Sequence, residues 1–288
     1  MPEVVSFLSQ WVLAPVPTLA VALAAAAYVR AVRRVDRRYP GTRWPRSRVW
    51  FFLTGLGLLL FVVIGPVGAY DDDFFWAHMV QHLTIMMVAA PLLLMGAPVL
   101  LALRVGTRQR RRPLVALLRS RPVRVLTNPL LTWALFAATM LGTHFTPFYN
   151  FAVTHPLVHD YVEHPLYLTV ALLYFYPLVG GNPLPHGPSP LAKVVSLIAQ
   201  MGPESMTGFF LYTAPGVLYP AYAQSDRPFG PGPLADQQLG GALMWCGGMV
   251  VGAVWISVAV AAWLSAESRA AHRIDRQVAT DLARAVTR

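Results

Sequence analysis

The sequence predicts an all-α, polytopic membrane protein. It is expected to form one bundle of about seven transmembrane helices, with the amino terminus outside and the carboxyl terminus in the cytoplasm. Three observations predict this. Of 288 residues, 56% are hydrophobic and only 12% are charged, and the mean hydropathy is +0.49, which leaves too little polar surface for a soluble globule of this size. Apolar runs of roughly 20 residues, the length that crosses a bilayer's hydrocarbon core as a helix, recur near residues 10–29, 50–70, 76–103, 128–146, 164–180, 191–213 and 239–264. The arginines also segregate: eight (Arg30 to Arg48) lie between the first two runs, eight (Arg104 to Arg124) between the third and fourth, and five after the seventh. Only Arg227 falls on the other side. This positive-inside bias sets the orientation, so the formal net charge of +10 encodes topology. The partner it implies is the lipid bilayer, and no nucleic acid is expected.

The elements follow in order. The first run has no basic segment ahead of it in MPEVVSF, so it is expected to stay in the mature protein instead of being cleaved as a signal peptide. The outward segments are acidic, with Glu3, Asp71, Asp72, Asp73, Asp160, Glu163, Asp226 and Asp236, a surface that attracts cations. Asp71 to Asp73 fit a cation-collecting mouth or an ordinary solvated turn. Pro91, Gly96 and Pro98 interrupt the third run, which should be kinked. LVALLRSRPVRVL (114–126) is amphipathic and suits the inner leaflet. GGNPLPHGPSP (180–190) is a tight connection, and RPFGPGPLADQQ (227–238) is too rich in Pro and Gly for regular structure. Glu204, after Pro203 in the sixth run, should face the bundle interior, either as a proton or cation partner or as a hydrogen-bonded lock. The single Cys246 has no partner for a disulfide or a thiolate metal pair. Residues 1–264 are read as the seven-helix domain. Residues 265–288 are read as a cytoplasmic amphipathic tail, in which Ile274, Val278, Leu282 and Val286 repeat every four positions. One lysine against 22 arginines suits a GC-rich genome and a bacterial plasma membrane.

The chemistry lies in the histidines. Six of eight fall at the predicted outer face: His78 and His82 open the third run, His144 closes the fourth, His155 and His159 sit in the loop after it, and His164 opens the fifth. His186 and His272 fall on the cytoplasmic side and read as solvated. At 100° per residue, His78, Met79, His82 and Met86 share one helix face; Met87 points away. His144, with Met140 a turn deeper, repeats the pattern from the opposite chain direction. Each residue also has a bland reading, since interfacial histidines cap helices and methionine fills gaps. Three imidazole-bearing helix ends at one depth nevertheless point to a metal. Mixed imidazole and thioether without paired thiolates suits copper, as Cu(I), whereas zinc prefers imidazole with carboxylate or thiolate. Met201, Met206, Met244 and Met249 fit either core packing or an inward soft-ligand path. Copper permeation, a zinc hydrolase using Asp71 to Asp73 or Asp160 as base, and a haem-binding electron carrier are the competing readings.

HMVQH (78–82), PLLLMGAP (91–98), NP (128–129), THFTPFYNFAVTHPLVHDYVEHPLYL (143–168), YPAY (219–222) and DQQLGGALMW (236–245) together resemble the CtaG family of caa3-type cytochrome c oxidase assembly factors, multi-pass proteins of the bacterial plasma membrane. The resemblance covers roughly residues 50–265. It implies a role in maturing the oxidase at its copper centres, and with the histidine and methionine pattern the leading expectation is a non-enzymatic metallochaperone that holds copper at the outer leaflet and hands it to an oxidase subunit. Carried over position by position, the family's histidines fall on His78, His82, His144, His159 and His164, and its acidic motif falls on Asp236. An aromatic residue usually precedes the fourth-run histidine in that family; here it is Thr143. The expected metal-site residues are therefore His78, His82, Met79, Met86, His144, His159, His164 and Asp236, with copper as the metal and zinc as the alternative.

Overall fold

Helices account for the fold, and the computed structural model describes residues 7–184, 187–225, 227 and 229–286. Seven principal helical segments lie among them: α1 (Pro15–Arg38), α2 (Arg46–Ala69), α3 (Phe75–Val105), α4 (Pro129–His144), α5 (His164–Phe175), α6 (Pro190–Thr213) and α7 (residues 233–286). No strand occurs among the described residues. The segments stand where the apolar runs predict them, but the expectation of seven spans is met only in part. Four helices, α1, α2, α3 and α7, are long and apolar enough to cross a membrane. At 16 and 12 residues, α4 and α5 are shorter than the roughly 20 residues an upright span needs, and α6 carries Lys193, Pro203 and Glu204 within its 24 residues. α3 is the most enclosed of the four long helices, while α1 shows almost its whole apolar surface.

Local chemistry sets the ends. Asn128 caps α4 by accepting from the Leu130 and Leu131 amides at 2.9 and 3.3 Å, with Pro129 in the first turn, and the Ser189 hydroxyl caps α6. The predicted kink in α3 is a break at Gly96 and Ala97, where Ala97 adopts a left-handed φ of 50°. The backbone groups this break frees are taken up by distant side chains: Asn182 donates to the Leu94 carbonyl (3.0 Å) and accepts from the Val99 amide (3.2 Å), and the Tyr28 hydroxyl donates to the Gly96 carbonyl (2.7 Å). The Pro- and Gly-rich stretch before the last run is shorter than expected, because α7 already begins at Pro233, with proline in a first turn that lacks an amide partner anyway. Beyond Gly248 the helix runs through Ser265 without a break to Val286. The side chains of Val278, Leu282 and Val286 lie outside the described residues.

Three wide π turns interrupt the helices: Thr84–Ala89 in α3, His159–Glu163 leading into α5, and Leu243–Gly247 in α7. Such turns occur disproportionately at functional sites. All three adjoin the same region.

Candidate metal centre

Five histidines converge. His78 and His82 come from α3, His144 from the last turn of α4, His159 from the π turn, and His164 from the first turn of α5. Their rings follow one another: His164 to His159 at 4.6 Å between centroids, His159 to His78 at 5.2 Å, His78 to His82 at 4.4 Å, and His82 to His144 at 5.4 Å. All five are buried. His155 is not among them: it is exposed, stacks on Phe151 and donates Nδ1–H to the Phe151 carbonyl at 2.8 Å. His272 is exposed, as expected, and His186 lies outside the described residues.

Two carboxylates knit the cluster. Glu163, fully buried, accepts from His159 Nδ1 at 2.8 Å and from the Tyr167 hydroxyl at 2.7 Å, and its Oε1 lies 3.7 Å from His78 Nε2. Asp71 Oδ2 lies 3.3 Å from His159 Nε2. Burial opposes a charge on His159, but its hydrogen bonds to Asp71 and Glu163 prevail and push its pKa up to about 11. Asp71 and Glu163 thus hold the two ring nitrogens of His159 from opposite sides. At the mouth, burial and the neighbouring Asp71 charge raise the Asp72 carboxyl to about 6, and burial raises Asp160.

The remaining hydrogen bonds fix which ring nitrogens are free. Gln81 donates to the Val62 carbonyl (3.0 Å), which turns its amide oxygen toward His164 Nε2 at 2.7 Å; that nitrogen therefore donates and Nδ1 keeps its lone pair. His144 donates Nδ1–H to the Met140 carbonyl at 2.8 Å, leaving Nε2 buried with a lone pair and no partner. This is the arrangement by which a backbone carbonyl orients a metal-binding imidazole. His78 and His82 share one hydrogen between their Nε2 atoms at 2.9 Å, and His78 Nδ1 has no partner. A tyrosine frame holds the whole: Tyr219 donates to the His144 carbonyl (3.0 Å), and Tyr222 donates to the Asp71 carbonyl (2.6 Å) and meets the Tyr149 hydroxyl at 2.7 Å. That accounts for the YPAY stretch.

Among the described residues, two groups offer three donor atoms each within 4.8 Å of one another: Asp71, His159 and His164, and His78, His82 and Glu163. Imidazole with carboxylate suits borderline metals, zinc and copper among them. The expected mixed His/Met stripe is thus divided. Met79 and Met86 are buried beside His82, but they line a separate cavity together with Met87, Met140, Met244 and Glu204. Met87, expected to point away, lines that cavity too: even at 100° per residue it lies only about 80° from Met79, with Leu83 between them on the same wall. Met206 and Met249 are exposed.

Asp236 is not brought into either group. Its carboxylate accepts from the Phe75 and Trp76 amides at 2.9 and 3.0 Å, capping α3, and pairs with Arg227 at 2.9 Å. Conversely, sequence reasoning left Glu163, Asp71 and Gln81 out of the site. The spacing His159 to Glu163 and the glutamine inside HMVQH were the available signals, whereas the burial of Asp71 in an acidic turn had none. Glu3 and Asp226, expected on the acidic side, lie outside the described residues.

The family model for the cytochrome c oxidase caa3 assembly factors, Caa3_CtaG, matches residues 26–266, a span that contains both donor groups. The chain belongs to this family. This agrees with the resemblance of its motifs. Uncharacterized proteins of Mycobacterium tuberculosis and Mycobacterium bovis are each 31% identical over 254 residues, which is 85% of this chain and 38% of theirs. One of Mycobacterium leprae is 28% identical over 283 residues, 96% of this chain and 42% of its own. The chain therefore spans about two fifths of the length of these curated relatives. No solved structure matches it.

Proposed function

We propose that this Caa3_CtaG chain is a non-enzymatic metallochaperone that holds copper at its histidine-bearing end and hands it to a copper centre of a cytochrome c oxidase subunit. The observation that carries the reading is the unbroken run of five buried imidazoles with an unpartnered nitrogen at His78 and another at His144. Burying so many polar groups is costly unless they are satisfied, and a metal satisfies ring nitrogens that no protein group reaches. Ligands spaced one ring apart also let an ion exchange partners stepwise, as delivery requires. In the proposed setting all seven helical segments form one bundle in a bacterial plasma membrane, and the histidine-bearing end faces outward. The acidic mouth at Asp72 and Asp160 collects the cation there, and the segment after Ser265 is a cytoplasmic tail.

The test is metal content. The full chain is purified in detergent, loaded with Cu(I) under reducing conditions, and compared with a His78→Ala/His82→Ala variant and with His272→Ala. Copper held stoichiometrically by the parent and by His272→Ala, but lost from the double variant, supports the reading. Equal copper in all three removes the site. Zinc retained in place of copper would favour a zinc-dependent hydrolase, for which the carboxylates in both donor groups are suited.

A second reading, copper permeation, is favoured by one observation. Ser196, Gln200 and Glu204 recur every four residues on α6, all buried and each with an unpartnered polar atom, so polar groups continue from the cavity toward the arginine-bearing end. Copper uptake into proteoliposomes separates the two: a chaperone gives none above empty vesicles.

A further inference from the structure

Half of the chain's ten methionines meet in one place. Met79, Met86, Met87, Met140 and Met244, all buried, surround a cavity of about 10 Å³ that His82, Leu83, Phe136 and Glu204 complete. That volume accommodates the centre of a single water or ion and little more. Methionine is a common filler of core gaps, but here five of them surround one buried carboxylate.

Glu204 is the decisive member. It is 1% exposed, and neither carboxylate oxygen has a hydrogen-bond partner. A charge buried in this way requires a counter-charge or a proton. The backbone is shaped to admit it: a Cβ at Gly248 would collide with Glu204 Oε1, so the α7 residue opposite the carboxylate has no side chain. Nearby, a Cβ at Gly208 would sit 2.6 Å from the Trp245 amide nitrogen, so glycine also permits the approach of α6 to α7. Two of the three π turns serve the same cavity. One carries Met86 and Met87 on consecutive positions, and the other carries Met244.

We infer that this cavity is a second metal site, distinct from the histidine–carboxylate groups, which takes a soft monovalent cation, Cu(I). The thioethers of Met79, Met86, Met87, Met140 and Met244 are its donor pool and Glu204 is its counter-charge. Thioether sulfur selects Cu(I) over zinc and other borderline divalent ions, and a single positive charge cancels a single carboxylate. His82 belongs both to this wall and to the donor group with His78 and Glu163, so it joins the two sites. The inference deepens the proposal that copper is the cargo.

The experiment uses the metal-free full chain in detergent with Ag(I), a redox-inert soft probe, and Zn(II), which samples the histidine groups. Three readouts are taken: metal per chain, binding affinity, and the ligand type seen by X-ray absorption. Wild type shows sulfur around Ag(I). Met86→Leu/Met244→Leu conserves volume; it loses the sulfur signature and weakens Ag(I) by about tenfold or more, the range found when groups supporting a metal are removed, while Zn(II) binding is unchanged. Glu204→Gln also weakens Ag(I). Wild-type Ag(I) with only nitrogen and oxygen neighbours, or an affinity within about twofold of wild type in the double variant, overturns the inference. If the double variant does not fold, the wild-type absorption spectrum alone decides. Failure of the histidine reading is distinct: His78→Ala/His159→Ala would then leave Zn(II) and Cu(I) content unaltered while the sulfur signature persists.

Discussion

Replacing Asp236 with asparagine separates a structural role from a ligating one. The carboxylate, wholly buried, accepts from the Phe75 amide (2.9 Å), the Trp76 amide (3.0 Å) and the Arg227 guanidinium (2.9 Å). Asparagine keeps the shape but turns one acceptor oxygen into an NH2 group, so at least one α3 amide loses its partner and faces another donor. It also removes the charge opposite Arg227, whose side chain is 11% exposed. Breaking a buried pair by neutralising one member costs about 3–5 kcal/mol. The lower end applies here, because Arg227 keeps hydrogen bonds to the Tyr222 and Pro231 carbonyls. At about 2–4 °C per kcal/mol for chains approaching this size, a loss of about 3 kcal/mol lowers the apparent Tm by about 6–12 °C. Unfolding from detergent is read at fixed scan rate, since it need not be reversible. Metal per chain, measured well below the transition, stays at the parent value. A Tm within about 1 °C of the parent together with lost metal would refute the reasoning and make Asp236 a ligand.

Four further outcomes are expected. Glu163→Gln leaves His159 with one carboxylate partner and lowers metal affinity by about 10- to 100-fold, as removal of a ligand's support does; competition with a chelator measures it. His155→Ala, an exposed residue outside the ring sequence, leaves metal content unchanged by elemental analysis. Tyr222→Phe removes the bond that holds the Asp71 carbonyl, costs about 1–3 kcal/mol for the buried acceptor it orphans, and is read in the apparent Tm. Asn182→Ala leaves the Val99 amide without its partner and the Leu94 carbonyl with only the Ala97 amide at the α3 break, a loss of similar size on the same scale, with metal binding retained.

Much of this architecture is legible in the sequence, and the physical reasons differ from feature to feature. The helical segments declare themselves because apolar runs between arginine clusters have few alternatives. His78 and His82 declare themselves because a four-residue interval puts two side chains on one helix face wherever the helix is regular. The reading fails at Met87 because the cavity wall, which also takes in Leu83, is wider than the stripe from His78 to Met86, and the π turn at Thr84–Ala89 leaves no mark in residue periodicity. Asp71 could not be told from Asp72 and Asp73 in a run of three identical residues; only the packing of His159 and Tyr222 against it selects one. Asp236 was misleading for a related reason. A carboxylate at the start of α7 suits that helix's own N-terminus, whereas the helix it caps is α3, 161 residues away in the chain.

The polar groups inside this apolar chain divide by whether their hydrogen bonds are complete. Asp236, Gln81, Gln237 and Asn182 are satisfied by named backbone groups or side chains, and each joins segments distant in sequence; these residues build the bundle. His78, His144, Glu204, Gln200 and Ser196 keep buried atoms that no protein group reaches, and they occupy the histidine cluster, the methionine cavity and the face of α6 that continues from it. Trp133 Nε1 and Arg227 Nε also lack partners, but both are donors, whereas the second set includes ring nitrogens and carboxylate oxygens able to accept a cation. In the proposed reading, an ion that moves among them would supply what they lack, first at imidazole, then at thioether with a carboxylate behind it. On that proposal, the rise in softness along that order would hold Cu(I) against exchange with harder cations while leaving it free to pass from ring to ring.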